Sequence, residues 1–296
     1  MKAPTDKSND IIQILVTRAC DLFHCSNCTQ LLPMRGSHGI CFDPVHMSPD
    51  VFRQALRSLD GWPGVRAMFG GNPCVHPRFD ELCEIMRQEV PDPRQRGLWT
   101  NNLRGKGAIV AETFIPGASR FNLNLHADDA AAAEMREHLP GVPIYGEGKA
   151  SHHAPILLDW RDMGLSYEQW SEKREQCDIN RHWSAAIVER YSRPWAYFCE
   201  VASSIDAITG ENHGVPAVPG WWRWKMDRFD HQVTGCCDKG CGVPLRAQGH
   251  DDTKDTYDVS DSWANLTVKG KPRHVARRDS IDGHVHEVTD YVGLRS

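Results

Sequence analysis

An α/β fold organised on a parallel sheet is what this 296-residue chain predicts, and three observations predict it. Short apolar runs alternate with stretches of helical period from Ile11 to His138, and strand-then-helix repetition means a parallel sheet, either a barrel or a doubly wound one. Turn-forming residues follow the runs directly, as in Gly70-Gly71-Asn72-Pro73 and Asn101-Asn102. Every unusual polar or cysteine motif of the first half falls at the carboxyl end of a predicted strand, where such sheets gather their ligands.

The elements follow in order. Residues 11–19, opening Ile11-Ile12-Gln13-Ile14-Leu15-Val16, read as a buried strand that runs into a cysteine loop. Residues 47–62 read as a helix, because Ser48-Pro49-Asp50 is a start signal and Val51, Phe52, Ala55, Leu56 and Leu59 keep helical spacing. Val65-Arg66-Ala67-Met68-Phe69 is a second strand, and residues 79–90 form a helix with Leu82, Ile85 and Met86 on one face. Residues 97–100 make a third strand, 121–126 a fourth, 130–138 an alanine-rich helix and 155–160 a fifth strand. Asn122 and Asn124 alternate onto one strand face, which is either an inward polar face or a solvated edge.

Composition sets the outer limits. Hydrophobic residues make up 40% and charged residues 25% of the chain, which is enough for a core with an ordinary surface. A net charge of −5 offers no broad basic field, which argues against nonspecific nucleic-acid binding and leaves room only for a local groove. No apolar run approaches the ~18 residues of a membrane span, and the polar first eight residues lack a signal-peptide core. Eleven cysteines in that setting point to metal sites in a reducing, cytoplasmic compartment.

The cysteines carry the chemistry. Cys20, Cys25 and Cys28 fall within nine residues at the end of the first strand. Thiolates hold iron–sulfur clusters, and a four-iron cluster takes four of them. Three close thiols therefore leave one iron open to an outside ligand. A zinc knuckle or three buried core thiols are the alternatives. Asn101 either caps the segment after it or serves as a ligand. Cys41, Cys74 and Cys83 read as structural.

These segments together resemble the radical S-adenosylmethionine superfamily over roughly residues 10–160. The spacing here is C-x4-C-x2-C, one residue longer around Phe23-His24 than the family's C-x3-C-x2-C, and Asn27 stands where an aromatic is frequent. Gly70-Gly71-Asn72-Pro73 is similar to the family's GGEP, with Asn72 for Glu, and Thr100-Asn101-Asn102 is similar to its TNG. The resemblance implies a partial (β/α)6 TIM-like barrel holding a [4Fe–4S] cluster on Cys20, Cys25 and Cys28. It implies S-adenosylmethionine bound along Gly70, Gly71, Asn72, Pro73, Asn101, Asn124 and His126, the glycines allowing close backbone approach. It further implies reductive cleavage to a 5′-deoxyadenosyl radical that abstracts hydrogen, with electrons from a flavodoxin- or ferredoxin-type reductant.

The second half carries a further thiol set. Cys177, a hairpin around Glu189-Arg190-Tyr191-Ser192, Cys199 before a helix closed by Gly210, and Cys236-Cys237 with Cys241 look like the shortened auxiliary-cluster region called a twitch domain. That resemblance implies a second [4Fe–4S] cluster on Cys177, Cys199, Cys237 and Cys241, with Cys236 competing with its neighbour. A four-thiolate zinc site is the rival, since spacing alone does not separate the two. The expected organisation is 1–165 for the barrel core, 166–245 for the auxiliary region and 246–296 for a polar extension with a local basic stretch. Trp221, Trp222 and Trp224 either stack on a planar substrate or shield a cluster. The substrate expected is a small molecule or nucleoside. The alternatives are a peptide or nucleic-acid base, or a non-catalytic iron–sulfur or zinc protein.

Overall fold

The computed structural model describes residues 1–21, 45–124, 129–145, 159–182 and 184–245. Cys25, Cys28, Cys41, His126, Trp183, residues 155–158 of the expected fifth strand and the extension 246–296 lie outside the described residues.

Strand β1, Ile11–Thr17, is buried along its whole length, as a strand covered on both faces must be. Its alternation sorts the side chains: Ile12, Ile14 and Val16 enter the main core, whereas Ile11 joins Val65, Ala67 and Trp99 on the opposite face. Helix α1, Pro49–Ser58, begins where the Ser48 hydroxyl accepts the Val51 amide at 3.3 Å, and it buries Val51, Phe52, Ala55 and Leu56. Then come β2 (Val65–Gly70), α2 (Phe79–Glu89) and β3 (Arg96–Thr100). They are followed by α3 (Gly107–Thr113), β4 (Arg120–Asn124), α4 (Asp129–His138) and β5 (Ile144–Tyr145). Helices α1 to α4 pack in sequence over the Ile12 face.

Two of these elements escape a reading of the sequence. Helix α3 opens on a glycine and has no side-chain cap. The fifth parallel strand is the two-residue Ile144–Tyr145, too short to show a period, while Asp159 and Trp160 at the end of the expected strand are not extended in a sheet.

Helices α5 (Tyr167–Glu175) and α6 (Asp178–His182) lead to β6 (Ala185–Arg190) and β7 (Arg193–Tyr197), the expected hairpin. Helix α7, Glu200–Thr209, closes on Gly210 in the left-handed region at φ 70°, and β8, Val215–Pro216, follows. The strand order is β5-β4-β3-β2-β1-β6-β7-β8, with β1 to β6 parallel and β7 and β8 antiparallel. The result is a parallel-dominant α/β sheet not closed into a barrel. The sixth strand lies beside β1, not β5, so the hairpin continues the same sheet. No helix among the described residues is long and apolar enough to cross a membrane.

That order makes β1 the place where the winding reverses. Ligand crevices in open α/β sheets form at such a switch point, outside the carboxyl ends of the strands. The residue reached there is Cys20.

Candidate functional site

At the carboxyl ends of β1, β2 and β3 the backbone is pressed together. The Gly71 amide donates to Thr17 O at 2.9 Å, and the Asn72 amide donates to Ala19 O at 2.8 Å. A Cβ on Gly70 would stand 2.0 Å from Thr17 O, and one on Gly71 would stand 2.3 Å from Ala19 O. The two glycines are therefore required by the chain leading into Cys20, whatever else approaches them.

Asn72 is buried and its side chain is fully used. Oδ1 accepts from the Cys74 amide at 3.0 Å and from the Thr100 hydroxyl at 2.8 Å. Nδ2 donates to Asp21 Oδ1 and to Asn102 O, both at 3.0 Å. One amide thus binds the ends of three strands, and it caps the turn Pro73–Val75. Asp21 takes Asn72 on one oxygen and faces Arg104 Nε at 3.7 Å with the other. Cys74 lies buried beside Thr100, and burial holds its thiol neutral, in keeping with a structural role.

Cys20 is buried, and Asn101 Nδ2 donates to its sulfur at 3.3 Å. Hydrogen bonds of this kind favour the thiolate and tune a metal-bound sulfur. The other end of the same amide, Asn101 Oδ1, is buried with no partner among the described residues. An unmet buried acceptor costs about 1–3 kcal/mol, so the site fits an incoming donor such as an ammonium or hydroxyl group.

Strand register extends this polar surface. Gln13 pairs with Ala67, Ala67 with Gly97, Trp99 with Asn122 and Asn124 with Tyr145. Gln13, Trp99, Asn122 and Asn124 therefore share the face turned away from α1 to α4. The Trp99 ring lies over Gly97, where a Cβ would meet it at 2.6 Å. Among the described residues Gln13 Oε1 and Trp99 Nε1 likewise have no partner, although the Gln13 side chain also bonds the buried Glu200 carboxyl. Asn122 and Asn124 are half-buried on this face while Leu123 between them is in the main core, and Tyr145, the register partner of Asn124, is exposed.

The second thiol set comes together at the opposite end of the sheet. Cys177 precedes α6, Cys199 precedes α7, Cys236 and Cys237 end the π-helical turn Val233–Cys237, and Cys241 follows. All five are buried, unbridged and line one cavity. The Val201 and Ala202 amides approach the Cys199 sulfur too loosely to cap α7 yet close enough to favour its thiolate; Ile179 and Asn180 do the same for Cys177. Burial outweighs this help: it pushes the Cys177 thiol up to about 12, and Cys199 beside it pushes the same way. Burial also holds Cys237 well above the ordinary thiol range, followed by Cys241, Cys199, Cys236 and Cys177. Cys236 is likewise raised by burial, and its next influence is Asp206. Its sulfur lies within 4.8 Å of ligand atoms of Asp206 and His213. The Asp206 carboxylate is already taken by Arg190 at 2.8 Å, by His213 Nδ1 at 2.8 Å and by the Tyr197 hydroxyl. Cys236 and Cys237 both line the cavity with the other three thiols, and Cys236 in addition stands against the buried ion network of Asp206.

Direction places the two sets. β6 runs parallel to β1, and β7 returns antiparallel, so Cys199 emerges at the amino end of β1. Cys20 follows the carboxyl end. The seven residues of β1, at about 3.3 Å each, separate Cys20 from the second set by roughly 20 Å.

No protein-family model and no curated protein matches the chain. Among solved structures it is similar to BtrN in complex with AdoMet and 2-DOIA, with 15% identity, TM-score 0.44, and coverage of 84% of this chain and 92% of that one. It is also similar to hexahistidine-tagged anSMEcpe with bound AdoMet, with 11% identity, TM-score 0.46, and coverage of 86% and 94% respectively.

Proposed function

We propose that the chain is a radical S-adenosylmethionine enzyme whose first cluster is held by Cys20 with Cys25 and Cys28. The observation that carries this reading is the buried Cys20 at the switch point, its sulfur bonded by Asn101 while Asn101 Oδ1 waits for a donor. When bound, the [4Fe–4S] cluster and S-adenosylmethionine supply one-electron cleavage of a sulfur–carbon bond and hydrogen abstraction from the substrate.

The chain's own residues do the positioning. Gly70 and Gly71 keep the β2 end tight against Thr17 and Ala19. Asn72 and Pro73 set the turn beside it, Asn72 through its four hydrogen bonds. Asn101 offers its amide oxygen, Asn124 at the end of β4 extends the cofactor edge, and His126 is the further residue assigned to S-adenosylmethionine. The polar face of Trp99 and Asn122 supplies indole and amide groups suited to a small polar molecule or nucleoside, and burial there keeps water away from reactive species. Cys177, Cys199, Cys237 and Cys241 hold a second [4Fe–4S] cluster. At roughly 20 Å from Cys20, that cluster serves as an electron acceptor or structural centre, not as a ligand to the reacting atom. Reduction comes from a flavodoxin- or ferredoxin-type partner.

Anaerobic reconstitution tests this directly. Iron and sulfide of about eight each per chain are expected, and dithionite with S-adenosylmethionine should release 5′-deoxyadenosine. Full iron loading without that product would favour a non-catalytic iron–sulfur protein. Cys237→Ser should lose half of the iron, whereas Cys236→Ser should keep nearly all of it.

A further inference from the structure

The strand that carries Cys20 is preceded by a segment wrapped over the other thiol set. Asn180, in the middle of α6, is gripped by that segment at three points. The Lys2 amide donates to Asn180 Oδ1 at 2.8 Å, Asn180 Nδ2 donates to Lys2 O at 3.3 Å, and Lys7 Nζ donates to Asn180 O at 2.6 Å. The Ser8 amide continues the contact to Arg181 O at 3.4 Å, and its hydroxyl lies 2.9 Å from His182 Nδ1. Met1 lines the thiol cavity itself.

Lys7 is the unusual member, with only 2% of its surface exposed. A buried ammonium is costly unless it is paired. Its nitrogen lies 5.9 Å above the Phe198 ring, next in the chain to Cys199. Burial lowers its pKa, and Cys199, Cys177, Glu200 and Cys237 oppose that shift. Glu200 is itself buried and bonded to the Ser184 hydroxyl at 2.8 Å. The nitrogen is thus held between the carbonyl of Asn180, three residues after Cys177, and the ring of Phe198, next to Cys199.

We propose that residues 1–8 are a built part of the thiol centre and that the Lys7 ammonium is its resident counter-charge, a positioning residue that raises the reduction potential of the metal held there. The proposal rests on the reading of Cys177, Cys199, Cys237 and Cys241 as cluster ligands. Four thiolates leave a four-iron cluster net negative, and reduction adds another negative charge. A fixed cation at the ligand shell offsets that charge, and net charge is one of the quantities that sets cluster potentials.

The test uses the full chain carrying Cys25→Ala and Cys28→Ala, so that only the thiol centre loads. Lys7→Met, Lys7→Gln and Lys7→Arg are compared in this background by iron and sulfide content and by an electron-paramagnetic-resonance redox titration. Both neutral variants should keep their iron and show a more negative midpoint. The expected change is about tenfold in the reduced-to-oxidised ratio at fixed potential, or ~59 mV for a one-electron couple. Lys7→Arg should stay with the parent. Lys7→Gln retains a donor for the Asn180 carbonyl, so it carries the test should Lys7→Met fail to fold. An unmoved midpoint at full iron overturns the counter-charge role and leaves the cluster reading standing. Absence of any iron–sulfur signal in the parent overturns both.

Discussion

Asn72 shows how one side chain can replace another for reasons visible only in three dimensions. The family that this chain resembles carries glutamate at the corresponding place, and here an amide is needed because Asp21 Oδ1 stands 3.0 Å from Asn72 Nδ2. A carboxylate there would lose both donors and face a like charge. Asn72→Glu should therefore cost about 3 kcal/mol in urea denaturation. Asp21→Asn in the same chain should recover part of that loss, since the pair is in contact and a double-mutant cycle reads the coupling directly. A loss in the double variant equal to the sum of the two single losses would show that the two residues do not interact. The turn at Gly70-Gly71-Asn72-Pro73 was legible in the sequence; the partner Asp21, 51 positions away, was not.

Among the elements, the helix–strand pair around the second thiol set depends on a buried ion network. Arg190 on β6 and Asp206 on α7 are both fully buried and meet at 2.8 Å. Tyr197 on β7 and His213 after α7 bond the same carboxylate. Removing one partner of such a pair leaves the other charge buried and costs about 3–5 kcal/mol. Arg190→Met should show that loss in thermal melting, together with a lower metal content, because Cys199 stands at the start of α7. A melting temperature within a degree or two of the parent would mean that packing alone holds α7 to the hairpin. Elements with strong end signals were readable: Ser48-Pro49-Asp50 announced α1, and Gly210 closed α7. Helix α5 carries a capping box of Ser166 and Gln169, an end signal of the same local kind. Helix α3 and strand β5 have neither caps nor length, and packing against their neighbours decides them.

For the whole molecule, the open sheet sets the distance between Cys20 and the second thiol set, and burial sets how the fold responds to alkali. Cys83 shows the sign. Burial in the core beneath α2 pushes its thiol up to about 12, with the Thr113 hydroxyl opposing. The unfolded thiol ionises near 8.5. Between those values the unfolded chain binds fewer protons, so stability is intact below the lower value and falls as pH rises, by about 1.4 kcal/mol per pH unit. Urea midpoints measured from about pH 9 to about pH 11 should fall less steeply for Cys83→Ala than for the parent. Parallel slopes would mean that Cys83 is already ionised in the fold.

The α/β class, the order of the principal strands and helices, and the grouping of cysteines into two sets were determined by the sequence itself, because hydrophobic period, capping residues and thiol spacing are local properties. Only the tertiary structure decided that β6 lies beside β1, that Cys236 stands against Asp206 and His213, and that Lys7 bonds the Asn180 carbonyl over the Phe198 ring. The physical reason is the same in each case. These contacts join residues far apart in the chain, and register, burial and charge pairing across that separation leave no periodic mark on the sequence.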